Sequence, residues 1–306
     1  MSRACILVTG AAGGTQGGTG RLVAETLLRQ GRHVRAFVRR RDQRSEGLER
    51  LGAEVFVGDL LDFRSVRDAS AGVGAVYFAY PVQAGLPEAT ANMAVAAREA
   101  GVERLVNLVM LTSAPDAPTP RMRLNHLSEQ VLDWADIGAV HIRAAVFYEN
   151  LYGLVRATVA GADVVRLPWG DDSTIVPLVG AEDVARVAAG LLVARDLPPG
   201  SRHPMVAAAP ALRDIVATFS RVLARDIRYE NLSDEAWRQW ARDDGINDHA
   251  VDHLSHLWRF LRTQPAAASA RRFQTSAETW ERFGRPDPVT FEDFLIGRRE
   301  TMAGNL

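Results

Sequence analysis

Ile6-Leu-Val-Thr-Gly-Ala-Ala-Gly-Gly-Thr-Gln-Gly-Gly-Thr-Gly-Arg21 is a short apolar run that opens into a glycine-rich loop. A helix-like stretch, residues 22–30, follows it. That order of elements suits the pyrophosphate of a dinucleotide. The strand ends, glycines let backbone N–H groups approach the phosphates, and a helix N-terminus adds positive potential. The candidate contacts are Gly10, Gly13, Gly14, Thr15, Gly17, Gly18, Thr19 and Gly20. The loop holds a small internal repeat, Gly-Gly-Thr-Gln then Gly-Gly-Thr-Gly.

Outward from this loop, short β-branched runs alternate with longer helical patterns. Strands are expected at 5–9, 33–38, 54–57, 75–79, 105–109 and 140–143. Helices are expected at 22–30, 64–71, 89–100 and 124–135. Gly31, Gly52 and Gly101 stand where such helices should stop. This alternation predicts an α/β fold, a doubly wound parallel Rossmann sheet. After about residue 150 the rhythm changes. A loop-rich part, 161–180, leads to a helix at 181–194, a strand at 205–208 and a helix at 212–223. Residues 234–262 are mostly helical, with Trp237, Trp240, Trp258 and Phe260. The expected division is a cofactor domain over 1–150, to which 176–208 return. A smaller, mainly helical substrate lobe takes 151–175 and 209–306.

The end of the second strand selects between nicotinamide cofactors. A carboxylate there would bind ribose hydroxyls. This chain has Val38-Arg-Arg-Arg41 instead, and guanidinium groups suit a 2′-phosphate. Arg39 and Arg40 therefore point to NADP(H). After the third strand, Asp59 either accepts from the adenine amino group or caps the next helix, while Leu60 packs on the ring. Ala79, Tyr80, Pro81 and Val109, at the ends of the fourth and fifth strands, complete the expected cofactor contacts.

Composition narrows the chemistry. The 306 residues are 47% hydrophobic and 24% charged with net charge −1, so no broad attraction to nucleic acid or membrane is expected. One cysteine, Cys5, excludes a disulfide framework and a thiolate metal cluster. No signal-like segment or span of transmembrane length stands out, and a cytoplasmic location is expected. The sharpest absence is lysine: all 36 basic residues are arginine. A Schiff base, a P-loop lysine and a tyrosine-lysine relay are thereby impossible. His249, His253 and His256 share one helix face, but a polar face is preferred to a metal site there.

With these residues placed, the chain resembles the NmrA-like group of atypical short-chain dehydrogenases/reductases. The resemblance runs through Val8-Thr-Gly-Ala-Ala-Gly13, Val34-Arg-Ala-Phe-Val-Arg39, Gly58-Asp-Leu60 and Ala97-Arg-Glu-Ala-Gly-Val-Glu-Arg-Leu-Val106. It continues in Phe147-Tyr-Glu-Asn-Leu151, Glu182-Asp-Val-Ala185, Phe283-Gly-Arg-Pro286 and Phe291-Glu-Asp-Phe294. The resemblance implies a Rossmann domain, a C-terminal substrate lobe and NAD(P) binding. The group spans quinone and dye reductases, ketone reductases of natural-product pathways, and regulators that bind the cofactor without turnover.

Two departures follow. The group's Gly-x-x-Gly-x-x-Gly is lengthened by four residues between Gly10 and Gly20. The superfamily's serine with Tyr-x-x-x-Lys is also missing, which weakens an epimerase or dehydratase reading. Hydride transfer still requires positioning, an oxyanion donor and a proton. His126, Tyr148, Thr112 and Ser113 are the candidate donors. The expected activity is NADPH-dependent reduction of a ketone or quinone carbonyl in a large apolar, polyketide-type aromatic substrate, by a monomer or homodimer. The alternative is a non-catalytic NADP(H)-sensing regulator with a protein partner.

Overall fold

The computed structural model describes residues 5–14, 18–265, 268, 277–285 and 287–302. The chain begins β1 (Cys5–Val8), α1 (Thr19–Arg29), β2 (Val34–Val38), α2 (Gln43–Arg50), β3 (Glu54–Val57) and α3 (Phe63–Ser70). It continues β4 (Val73–Phe78), α4 (Leu86–Glu99), β5 (Arg104–Met110), α5 (Pro120–Trp134) and β6 (Ala139–Ala144). Next come β7 (Val146–Phe147), α6 (Tyr148–Ala162), β8 (Val164–Leu167), β9 (Leu178–Val179), α7 (Ala181–Val193) and β10 (Arg202–Met205). The last elements are α8 (Leu212–Leu223), β11 (Arg228–Asn231), α9 (Asp234–Asp243), α10 (Asp248–Thr263), α11 (Ala277–Phe283), α12 (Phe291–Ile296) and α13 (Arg299–Met302).

Two compact units result. The first comprises Met1–Ala144, Ala181–Met205 and Ser276–Pro286; the second comprises Ala145–Gly180, Val206–Thr275 and Asp287–Leu306. The first break thus falls at 144, not 150. Residues 276–286, expected in the lobe, belong to the first unit. The reason is packing: α11 lies on α7, with Phe283 over Gly190 and Arg285 3.7 Å from Asp183.

In the first unit seven strands form one sheet in the order β10-β6-β5-β4-β1-β2-β3, and every neighbouring pair is parallel. The doubly wound Rossmann sheet expected from the alternation is present. Right-handed crossovers place α1 and α2 on one face, because the chain walks from β1 towards β3. It then returns through β4 to β6, which places α3, α4 and α5 on the other. Accordingly α3 packs on α4 and α4 on α5, while α1 packs on α7. The buried runs of β1 and β4 are covered on both faces, so they read as continuous apolar stretches.

Two local differences have physical causes. The strand expected at 205–208 is instead Arg202–Met205, containing Pro204. It is the last strand of the sheet, where a proline's missing N–H is tolerated. Helix α2 was not expected, because Gln43–Arg50 carries only one large apolar residue, Leu48. It is started by a reciprocal cap: the Asp42 carboxylate accepts from the Arg44 and Ser45 N–H groups, and the Ser45 hydroxyl accepts from the Asp42 N–H.

The second unit gathers α6, α8, α9, α10 and α12 around one core that includes Tyr148, Trp169, Phe219, Trp237 and Trp258. It also holds two short parallel pairs, β8 with β11 and β7 with β9, which the sequence reading did not place. Trp237 and Trp258 meet edge to face at 6.3 Å inside this core, while Trp240 and Phe260 pack against it partly buried.

Under α5 in the first unit lies a buried polar network. Glu129, fully buried, receives two hydrogen bonds from Arg143, at 2.8 and 2.7 Å. Asp133 lies 2.9 Å from His141 Nε2, and the Asn107 amide lies 3.2 Å from His141 Nδ1. An amide N–H₂ only donates, so Nδ1 is the acceptor and the Nε2–H donates to Asp133. Burial pushes the imidazole pKa below its ordinary 6.5, and Asp133 opposes this only in part. The unfolded chain then takes up a proton that the folded chain refuses. The contribution is whole above pH 6.5 and is lost as pH falls below it. Urea unfolding should show stability declining on acidification through this range, with His203, also depressed by burial, adding to it. His141→Gln should flatten the decline by up to about 1.4 kcal/mol per pH unit.

Candidate functional site

The C-terminal tips of β1 and β4 are pinned together by one hydroxyl. Thr9 is fully buried; its Oγ1 donates to the Ala79 carbonyl at 3.0 Å and accepts from the Ala79 N–H at 2.8 Å. The glycine turn starts at the next residue. Gly10 (φ +64°), Gly13 (φ +73°) and Gly18 (φ +65°) occupy left-handed backbone, and the Gly13 N–H closes the turn onto the Gly10 carbonyl at 3.0 Å. Gly18 precedes α1, whose start has neither a side-chain cap nor an acidic residue.

Gly20 has a different duty. A Cβ there would overlap the Thr9 carbonyl oxygen and stand 2.7 Å from the Gly10 carbonyl. Only glycine lets α1 sit this close to the end of β1. Thr19 is held from below by the Tyr77 hydroxyl, 2.8 Å away on β4, and burial pushes that phenol's pKa far up. By contrast, a Cβ on Gly10 or Gly14 would meet nothing within 4 Å. The turn therefore opens to solvent on one side and is closed by strand backbone on the other. Counting from Gly10 and Gly13, the four additional residues lie between Gly13 and Gly20. Thr15 and Gly17 lie outside the described residues.

The end of β2 is tied to this turn by a residue the sequence reading missed. Arg44 Nη1 donates to the Gly13 carbonyl at 3.1 Å, and the Arg44 carbonyl accepts from Arg21 Nη1 at 3.2 Å. Arg44 also pairs with Asp42 at 2.6 Å and, with the cap N–H groups, holds that carboxyl down to about 2. The clue was the Asp42–Ser45 capping pair, which fixes where α2 begins. Arg39 is exposed and makes no hydrogen bond or ion pair; Arg40 is 80% exposed and reaches only Asp42, at 3.8 Å. Arg41 is engaged by Glu49.

At the end of β3, Asp59 Oδ1 accepts from the Leu61 N–H at 3.0 Å. The cap of α3 is Asp62, so the alternative in which Asp59 caps that helix falls. The Leu60 carbonyl accepts from Asn92 at 3.0 Å.

After β4 the chain passes Tyr80 and Pro81, and here a second missed residue organises the loop. Arg121, in the first turn of α5 and 3% exposed, donates to the carbonyls of Tyr80, Pro81 and Gln83 at 3.1, 2.9 and 2.9 Å. No carboxylate pairs with it, and burial lowers its pKa to about 10. Its neighbours in sequence, Pro118 to Pro120, gave no sign of this.

The four candidate proton donors fall in different surroundings. Thr112 Oγ1 donates to the Met122 thioether at 3.0 Å, a weak acceptor. Ser113 is buried and lies 3.3 Å from Glu129. His126 on α5 is half-buried and makes no hydrogen bond, while Asn125 beside it accepts from the Met110 N–H at 3.2 Å. Val109 is buried within β5. Tyr148 belongs to the second unit. It is fully buried between Phe291 and Phe294, with ring centroids at 5.3 and 5.4 Å, and its hydroxyl donates to the Val289 carbonyl at 3.1 Å. That placement gives Tyr148 a packing role. Among the described residues no group of three His, Cys, Asp or Glu could hold a metal. Likewise no helix is long and apolar enough to cross a membrane.

Sheet order, glycine turn and bare helix start together define a doubly wound nucleotide-type fold. The model of the NmrA-like family matches residues 2–295, and the chain belongs to that family. A (4-alkanoyl-5-oxo-2,5-dihydrofuran-3-yl)methyl phosphate reductase of Streptomyces griseus subsp. griseus is 32% identical over 242 residues, 76% of this chain and 79% of that protein. An NAD(P)H azoreductase of Xenophilus azovorans is 25% identical over 248 residues, 79% of this chain and 84% of the other. Among solved structures, the Citrobacter sp. triphenylmethane reductase complexed with NADP(H) has a TM-score of 0.78 at 19% identity. It covers 96% of this chain and 99% of its own.

The two classes of glycine should separate on substitution. Gly20→Ala must push α1 off β1, and urea unfolding should show a loss of about 1–3 kcal/mol. Gly14→Ala, with open space and no left-handed φ, should leave stability within about 0.5 kcal/mol.

Proposed function

We propose that this chain is an NADPH-dependent oxidoreductase of the ketone- or quinone-reducing type. The observation that carries the reading is the uncapped start of α1 over an open glycine turn, with two exposed arginines at the end of β2, Arg39 and an Arg40 held only by a 3.8 Å approach to Asp42. The residues fit a dinucleotide. The N–H groups of the first turn of α1 lack side-chain acceptors, and a pyrophosphate supplies them. Arg39 and Arg40 suit a 2′-phosphate, and Asp59 and Leu60 border the adenine. The names of the relatives, an NAD(P)H azoreductase and a furanyl phosphate reductase, support a reductase.

When bound, a reduced nicotinamide supplies a hydride. The chain must orient the carbonyl and deliver a proton without a Tyr-Lys relay. Arg121 fixes the Tyr80–Gln83 backbone that follows β4. His126 is the proton donor we favour, because its imidazole is engaged by no other group. Thr112 is the secondary candidate, since a thioether yields readily to a better acceptor. Ser113 faces Glu129 and serves the network under α5. The substrate is a large apolar, polyketide-type aromatic ketone or quinone.

A second reading, an NADP(H)-sensing regulator, is favoured by one observation: the hydroxyls of Tyr148 and Ser113 are engaged inside their own units. Purified protein with NADPH and a panel of quinones and aryl ketones decides between them. Loss of nicotinamide absorbance is expected. Tight NADPH binding by calorimetry with no turnover would favour the regulator.

Two variants test the roles. Removing both Arg39 and Arg40 (→Ala) should raise KM for NADPH by about tenfold or more and leave KM for NADH unchanged. His126→Ala should lower kcat by about a hundredfold with KM for NADPH unaltered. Full kcat in that variant assigns the proton to solvent.

A further inference from the structure

Asn125 lies in the second turn of α5 and is 2% exposed, yet only one end of its amide is used. Oδ1 accepts at 3.2 Å from the N–H of Met110, the last residue of β5. That bond fixes which way the amide points. Turned over, it would set N–H₂ against N–H, donor against donor. Among the described residues nothing accepts from Nδ2. Nor is Nδ2 one of the polar atoms enclosed without a partner, as Arg121 Nε and Trp237 Nε1 are, so it reaches open space. Most buried polar side-chain atoms are paired, and this donor is not. The hydroxyls that follow β5 are committed, Thr112 to Met122 and Ser113 to Glu129.

Strand register locates this amide over the sheet. Phe78 of β4 is level with Asn107 of β5, so Ala79 continues level with Leu108. Thr9, pinned to Ala79, marks the start of the glycine turn. Met110 therefore stands two residues, about 7 Å, beyond that level on the carboxyl side. It also stands two strands from β1, about 10 Å across, because β4 lies between them. Arg39, Arg40 and Asp59 assign the adenosine half of a dinucleotide to β2 and β3, on the far side of β1. The other half then runs over β4 and β5, where Asn125 stands. As hydride reaches a carbonyl carbon, the C=O π pair moves onto oxygen and the cofactor is left oxidised. The oxygen carries negative charge until a proton arrives. A neutral donor already in place stabilises that charge without having to reorient.

We propose that Asn125 Nδ2 is the oxyanion donor, taking the carbonyl oxygen of the ketone or quinone during hydride transfer. This role rests on the NADPH-dependent reductase reading: Asn125 holds the developing charge, and His126, the next residue, supplies the proton that ends it. A carboxamide keeps its N–H bonds across the working pH range. It thereby stabilises the oxyanion in a helix that has no tyrosine and a chain that has no lysine.

A phenolate tests the amide without turnover. 4-Nitrophenol, titrated into the protein with NADP⁺, reports its own ionisation by absorbance, and its anion stands in for the oxyanion. The wild type should prefer the anion and lower the phenol's apparent pKa by about one unit or more. Asn125→Leu, close in shape but without the donors, should give back about one unit of that shift and weaken phenolate binding about tenfold. Turnover supplies the second reading. Asn125→Asp, which can still accept from the Met110 N–H, should lower kcat by about a hundredfold or more while KM for NADPH stays within about twofold. Circular dichroism and NADPH calorimetry confirm that each variant is folded and binds cofactor. Should Asn125→Leu fail to fold, Asn125→Asp replaces it in the phenolate titration. Variants that bind phenolate as the wild type does, or a wild type with no preference for the anion, would overturn the proposal. So would a raised KM for NADPH at unchanged kcat, which makes Asn125 a cofactor contact. The reductase reading fails separately, when no quinone or aryl ketone oxidises NADPH although the wild type still takes up the phenolate.

Discussion

The approach of α1 to the end of β1 is the constraint on which the rest of the first unit hangs. With Gly20 against the Thr9 and Gly10 backbone, the first N–H groups of α1 stand beside the glycine turn. A side chain at position 20 would lift that helix. Lifting it would also strain Tyr77 to Thr19, Arg21 to the Arg44 carbonyl, and through Arg44 the Gly13 carbonyl. One absent methyl thus sets the position of β1, α1, α2 and the arginines after β2 together. Thr9 extends the same arrangement sideways to β4.

A chain without lysine meets its structural needs with guanidinium groups, and the consequences are visible. Arg121 serves three carbonyls at once, and Arg143 grips both oxygens of a fully buried carboxylate. A planar fork with five donors can do this, whereas a compact ammonium cannot. Removing Arg143 would leave the buried Glu129 carboxylate with only Arg202, at 3.8 Å, as a charged partner, which is worse than never having had the pair. The same pair explains why Ser113, although correctly placed after β5, faces inward.

How much was legible depended on whether local pattern or tertiary contact decided the matter. The sheet was readable because Ile6–Val8 is buried and wholly apolar, and Val34–Val38 and Val73–Phe78 are apolar except at Arg35 and Gly74. The glycine turn was readable because φ above zero and close backbone contact leave few other residues possible. Helix α2 was not, since its sequence is polar and only its cap marks it. Arg44 and Arg121 were invisible because their importance lies in carbonyls 31 and about 40 residues away. Tyr148 was attractive as a donor from its motif alone. Only the backbone carbonyl of Val289, 141 positions on, shows what its hydroxyl meets.

Pro204 has a further consequence. Ser201 turns its carbonyl towards β6, so alternate residues 201, 203 and 205 face the sheet, and 202 and 204 face away from it. The proline therefore removes a donor from the outward rim. A stray strand from an unfolding chain would find an incomplete template there, which discourages edge-to-edge growth into aggregates. The residue that hid β10 in the sequence is thus the one that leaves the last strand of the seven-stranded sheet without a full row of donors on its outer side.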